Sequence, residues 1–191
     1  MKIASTLGVA LLLALCGGEE ASADVALGIA AGPPSVLASS DQTMPDWFHV
    51  NEAGKSVHMT ITAGLTDAKS YWNFNGGHDG NMTITVPEGF TVMIDFMNND
   101  PNMAHSLGIS ATTSGFGAMM QPDVAFEGAI TSNPTSMVEA TMPGQEESIM
   151  FVASAAGDYA MVCYIPGHAA TGMWIYFNVS ADGSYGVQGG M

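Results

Sequence analysis

From Val57 onward the chain alternates apolar and polar residues with a period of two. Val57-His58-Met59-Thr60-Ile61-Thr62 and Met82-Thr83-Ile84-Thr85-Val86 put apolar or β-branched side chains at every second position, as in strands with one face turned to a core. A longer alternation, Phe90 to Met97, is entered through the turn Pro87-Glu88-Gly89. Further strands are predicted over His105 to Ser110, Glu147 to Ala153, Gly157 to Cys163 and Met173 to Val179. No segment between them has a helical period. About seven or eight short strands separated by Gly, Pro, Asn and Asp turns predict an all-β fold, an antiparallel β-sandwich with Greek-key links.

The flanks read differently. Met1-Lys2, an apolar run from Ile3 to Leu15 and the small residues Ala21-Ser22-Ala23 make a secretory signal over 1–23, too short to span a bilayer. Export to a periplasmic or other extracytoplasmic space, without stable membrane insertion, is the expectation. Lipid attachment at Cys16 is the lesser alternative, because Leu15 stands where a small residue is wanted. Residues 24–56 read as an arm, rich in Ala, Gly, Ser and Pro up to Pro45. One domain is expected over 57–180, monomeric, with a long irregular excursion at Ala111 to Gly144 and at most a short helix there. The Gly-rich end, 181–191, reads as a flexible tail.

Charge narrows the function classes. After cleavage behind Ala23, Lys55 and Lys69 are the only basic side chains and 16 of the 18 acids remain, so the formal charge is 2 − 16 = −14. A nucleic-acid partner is excluded, since nothing here neutralises phosphates. Charged residues make up 11% of the chain, well below the usual quarter. A surface built from Ser, Thr, Asn and Gly changes little as carboxylates protonate, which points to an acidic working environment. Cleavage also leaves Cys163 as the single cysteine, unable to form an internal disulfide and exposed to oxidation unless something occupies it.

The segment Cys163-Tyr164-Ile165-Pro166-Gly167-His168-Ala169-Ala170-Thr171-Gly172-Met173 offers that occupant. It carries a thiol, an imidazole and a thioether at spacings of five and five, between two predicted strands. Pro166-Gly167 and Gly172 supply bends that turn the three side chains toward one point. Soft sulfur with imidazole selects copper, and a Cys with two His plus a weak axial Met is the blue-copper arrangement. The second imidazole is expected from His105, which follows the turn Asn98-Asn99-Asp100-Pro101-Asn102. Each residue alone has a plainer reading: a lone Cys is usually an inert hydrophobe, a Met in a strand is usually core, and a His in a turn is usually surface. Their spacing in an exported chain with one thiol favours the metal.

Other chemistries find less support. His78 reads as a turn residue, and His49 and His58 as arm and strand-face residues. No His-x-His pair is present for a multicopper oxidase, no second bridging Cys for a two-copper centre, and no Cys-x-x-Cys-His for haem. A Cys163–His168 hydrolase lacks a recognisable third group or oxyanion loop. A small copper enzyme needs an open coordination position, so catalysis is not expected.

At these residues the chain resembles the cupredoxins, and most closely their sulfocyanin and rusticyanin groups. Ile165 to Met173 is similar to the rusticyanin ligand loop, while Gly172-Met173-Trp174, Phe74-Asn75-Gly76 and the Asn98-Asn99 to His105 turn are closer to sulfocyanin. The residue after His105 is Ser106, as in rusticyanin, where sulfocyanins carry Asn. The resemblance covers about Tyr71 to Val179. It implies a cupredoxin-type sandwich holding one type 1 copper through His105, Cys163, His168 and Met173. It further implies shuttling of single electrons between respiratory partners such as a cytochrome or terminal oxidase, at high potential and in acid. Phe96, Met103, Ile165, Trp174 and Phe177 are expected as an apolar shell, and the outer edge of His168 is expected to emerge through an uncharged patch. The rival is a periplasmic copper carrier, which the methionine count favours and the absence of a Met-x-x-Met array does not.

Overall fold

A computed structural model describes residues 44–190. The 1–23 signal reading, Cys16 and the arm before Met44 lie outside the described residues. Nine strands form among those described: β1 (Phe48–Asn51), β2 (Ser56–Ala63), β3 (Met82–Pro87), β4 (Thr91–Asn98), β5 (Gly108–Ser110), β6 (Glu146–Val152), β7 (Gly157–Val162), β8 (Trp174–Ser180) and β9 (Gly186–Gly189). They build two sheets, ordered β1-β2-β4-β6 and β5-β7-β8-β3-β9. The all-β sandwich expected from the alternation is therefore present, with nine strands rather than seven or eight.

Alternation decides which side chains face inward. Val57, Met59, Ile61 and Ala63 of β2 and Val92, Ile94 and Phe96 of β4 are fully buried, and they meet Ile84, Val86, Ile175 and Phe177 of the other sheet in one core. Each of these Val, Ile, Met and Phe side chains contributes about 1.5–3 kcal/mol by leaving water. A shift of one residue in any of these strands would turn its apolar set to solvent, so the pattern also fixes register.

Three features depart from the expected pattern. β2 runs parallel to β4, and β3 parallel to β8, while the other neighbours are antiparallel. The reason is connectivity: β2, β3 and β4 alternate in direction and between sheets, so β2 and β4 share both sheet and direction. β1 forms inside the segment read as an arm, because Phe48 buries its ring against the core and pairs with Met59. β9 forms inside the segment read as a flexible tail, pairing with β3 at the sheet edge; Tyr185 Oη also donates to Glu52 Oε1 at 2.7 Å. Gly189 holds φ +76 where a Cβ would collide with the Asn81 carbonyl, so the same glycine that hides the strand from propensity lets its backbone approach.

Residues 111–144 contain no helix. They are strapped along the free side of β5: Ala125 N–H donates to Ile109 O (2.8 Å), Ile109 N–H to Ala129 O (3.0 Å) and Thr131 N–H to Leu107 O (2.9 Å). This strap satisfies backbone groups that an open edge would leave exposed. At its end, His105 and Thr141 exchange backbone bonds of 3.0 and 3.1 Å.

Candidate metal centre

The register of β5, β7 and β8 brings distant residues to one end of the sandwich. Gly108 lies opposite Val162, and Val162 opposite Trp174. Continuing both ladders by a residue or two puts Ser106, Cys163 and Met173 together just beyond the strand ends. The bonds agree: Tyr164 N–H donates to Ser106 Oγ (2.9 Å), and Cys163 N–H to Met173 O (3.2 Å).

The loop from Cys163 to Met173 is held by its own backbone. His168 N–H donates to Ile165 O (3.1 Å), Met173 N–H donates to His168 O (2.9 Å), and a 3-10 turn occupies Ala169–Thr171. Gly167 N–H is tied to Ala118 O of the strap at 2.7 Å. Gly172 adopts φ +119, and a Cβ there would run into the Asp79 carboxylate, so glycine is required for this approach.

His105, Cys163 and His168 converge as predicted, their ligand atoms all within 4.8 Å of one another and all three side chains buried. Cys163 Sγ lies 3.5 Å from His168 Nδ1 and 3.9 Å from His105 Nδ1, and the two Nδ1 atoms are 3.2 Å apart. With Nε2 of His105 engaged by Asp100, its Nδ1 is the nitrogen that faces Cys163 and His168. Met173 is fully buried beside them, its backbone bonded to both Cys163 and His168. Among the described residues this is the one cluster of His, Cys and acid groups with ligand geometry. His49 and His58 face each other across β1 and β2, His58 bonded to Asp95 at 2.7 Å, and His78 bonds Asp79 at 2.9 Å. These three take no part in the centre.

Burial sets the electrostatics. It pushes the Cys163 thiol up to about 11, against donation from the Ser106 and Ile165 backbone and the Ser106 side chain. It pushes His168 down to about 4, helped by the neighbouring His105. His105 is likewise lowered by burial, with Asp100 opposing. A site that resists both a proton on imidazole and a free charge on sulfur fits a cation, which supplies the charge the thiolate lacks. One thiolate sulfur and two imidazole nitrogens in a closed apolar pocket suit copper.

Two contributors escaped the sequence reading. Asp100, which reads as a turn residue, is 2% exposed and accepts from His105 Nε2 at 2.9 Å, and its other oxygen takes the N–H groups of Asn102 (2.8 Å) and Met103 (3.2 Å). It fixes the ring so that Nδ1 faces the site. Asn98 braces this turn, donating to Met103 O and Thr141 O at 2.8 Å each and accepting from Asp100 N–H at 2.9 Å. Trp72 is the second: its ring stacks on His168 with centroids 4.0 Å apart and planes at 19°. The expectation that the edge of His168 emerges at the surface is corrected here. His168 is 1% exposed, with the half-buried Trp72 laid over it. Of the expected apolar shell, Phe96, Ile165 and Phe177 are buried; Met103 is only partly so, and Trp174 packs outward against Phe116 and Tyr176.

The sulfocyanin (SoxE) domain model matches residues 45–186. Sulfocyanin of Sulfolobus acidocaldarius is 30% identical over 131 residues, covering 65% of this chain and 63% of that protein, so the match spans less than two thirds of that relative's length. Rusticyanin of Acidithiobacillus ferrooxidans is 32% identical over 127 residues, covering 65% of this chain and 77% of that one. Crystal structures of rusticyanin variants superpose with a TM-score of 0.50 at 26% identity, over 71% of this chain and 87% of theirs. A domain match over most of the chain, a nine-stranded sandwich and a buried His-Cys-His cluster at its end converge: the chain belongs to the sulfocyanin family of cupredoxins, whose cofactor is a single type 1 copper.

Proposed function

We propose that this protein is a mononuclear blue-copper electron carrier, with His105, Cys163, His168 and Met173 as the ligand set. The observation that carries the reading is the convergence of the three buried donors on one point, with Met173 closing the same loop. Copper held there supplies a one-electron couple. The protein's part is to keep the donors still while charge changes: sheet register positions Cys163 and Met173, Asp100 orients His105, and the turns of the loop hold His168. Backbone N–H and hydroxyl of Ser106 point at Cys163 Sγ from 3.4 and 3.7 Å and spread the thiolate's charge.

Burial of the donors also favours a relay over a copper carrier, because a closed site releases metal slowly. Encasement by apolar side chains disfavours the more highly charged oxidised ion, which supports a high potential. Scarcity of ionisable surface supports work in acid, and the leader-like first residues support an exported location. Partners fitting this reading are extracytoplasmic redox proteins, such as a cytochrome or a terminal oxidase. No described helix is long and apolar enough to cross a membrane.

An optical and EPR spectrum of the copper-loaded protein tests the reading. The wild type is expected to show intense visible thiolate-to-copper absorption, absent in Cys163→Ser. A colourless wild type overturns it. Ready loss of copper to a chelator would favour the carrier.

A further inference from the structure

The burial of His168 leaves an electron carrier without its expected surface contact. A docking partner cannot touch a ring that is 1% exposed. It can touch Trp72, which is half-buried and lies flat on that ring. We propose that Trp72 is the port through which electrons enter and leave, its π-face coupling an apolar partner surface to His168. The inference rests on the electron-carrier reading above.

Trp72 is held there at a cost. Lys69, Ser70 and Tyr71, directly before it, all adopt left-handed backbone with φ +54, +58 and +71. For residues other than glycine this costs about 1–2 kcal/mol each. Strain of this kind persists only where surroundings over-determine it. They do: the buried Asn73 side chain donates to Thr66 O (2.8 Å) and Ala68 O (2.9 Å) and accepts from Gly76 N–H (3.0 Å). Lys69 Nζ bonds Asp79 Oδ2 at 2.8 Å and reaches Thr171 O of the ligand loop at 3.4 Å. Plain core packing would not call for three consecutive left-handed residues to lay a partly buried indole on a ligand ring.

The remaining rim is small and uncharged. Pro166 and Gly167 are partly buried, and Ala170 and Thr171 are exposed. The nearby Lys69 charge is met by Asp79. Such a face suits brief apolar contact with a partner that presents its redox group at its edge, and needs little area. In the transfer one electron passes between the two redox centres; no bond forms or breaks, no proton moves, and the indole is neither oxidised nor reduced overall.

Electron self-exchange between the Cu(I) and Cu(II) forms of this protein, followed by NMR line broadening, tests the port without an unknown partner. Trp72→Leu is expected to slow exchange about tenfold or more, equivalent to about 1.4 kcal/mol of barrier, while the visible spectrum stays that of the wild type. Trp72→Phe, which keeps a smaller stacked ring, falls between the two and carries the test if the leucine variant does not fold. In the metal-free protein, upfield His168 ring-proton shifts caused by the indole are expected to vanish in Trp72→Leu. Exchange unchanged or faster in the coloured variants overturns the port and leaves Trp72 a cover; unchanged ring shifts overturn it as well. A colourless wild type would instead overturn the electron-carrier reading itself.

Discussion

The two histidines of the centre are held by opposite means. His105 sits behind a polar network in which the buried Asn98 and Asp100 side chains satisfy the donors and acceptors of the 99–103 turn. His168 sits in a loop of Pro, Gly and Ala, held by backbone turns and covered by a stacked indole at the protein's edge. The first arrangement resists change and carries a buried carboxylate. The second places the ligand ring near solvent without wetting it. The difference teaches that the centre has a structural side and an exchange side, and that different substitutions should damage each.

The largest expected effect is on the structural side. Asp100→Ala leaves the buried His105 Nε2 without its acceptor, about 1–3 kcal/mol for that group, and takes a partner from two part-buried turn N–H groups as well. A loss on the order of 3 kcal/mol or more is expected in denaturant unfolding of the metal-free protein. Trp72→Leu, losing about 1 kcal/mol of stacking beyond its area, should be hurt less in the same measurement. A reversed ranking would break the comparison.

Asp100→Asn separates charge from hydrogen bonding. The amide can still accept from His105, so folding should survive. Removing a negative charge near the metal disfavours the oxidised ion, so the reduction potential should rise, on the order of 60 mV for about 1.4 kcal/mol in a one-electron couple. On this prediction the carboxylate opposes the high potential proposed above. Voltammetry showing a fall would mean that Asp100 acts through geometry rather than charge.

This asymmetry also explains what could be read from the chain. Cys163, His168 and Met173 stand out as candidates because one short loop carries them at fixed spacing between two alternating strands, and the structure brings the first two together with His105. His105 was legible from its turn and from resemblance, although the strand it was expected to open begins only at Gly108. Asp100 was hidden because Asn and Asp belong in turns whatever else they do. Trp72 was hidden more deeply, since its contact is long-range and its backbone contradicts the local preference of Lys69, Ser70 and Tyr71. β9 was hidden by its glycines, and the parallel pairings by connectivity that alternation does not encode.

Acid should distinguish metal-free from copper-loaded protein. In the metal-free chain His168 is held down to about 4 by burial and by His105, against an unperturbed 6.5. The unfolded chain therefore takes up this proton first. Stability is expected to fall as pH drops from about 6.5 to about 4 and then to level off for this group. Asp95, held below its usual value by Ser148 and then His58, contributes stability above 3.8 that is lost as pH falls further. Copper binding displaces the proton that metal-free Cys163 holds, so thermal melts across this range should show the stabilisation by copper shrinking as pH falls. A metal-free protein equally stable at pH 7 and pH 4 would contradict the buried, neutral imidazole.

The smallest stability effect belongs to Lys69. Its pair with Asp79 is more than a third exposed on both sides, and such pairs contribute about 0–1 kcal/mol. Lys69→Met should therefore melt close to wild type. Yet Lys69 also joins the strained strap before Trp72 to Thr171 of the ligand loop. If that strap sets the angle of the indole, Lys69→Met should weaken the His168 ring-current shifts while leaving the Asp100–His105 side untouched. A variant that lowers stability and shifts His105 resonances as much as those of His168 would show that the two sides are mechanically one.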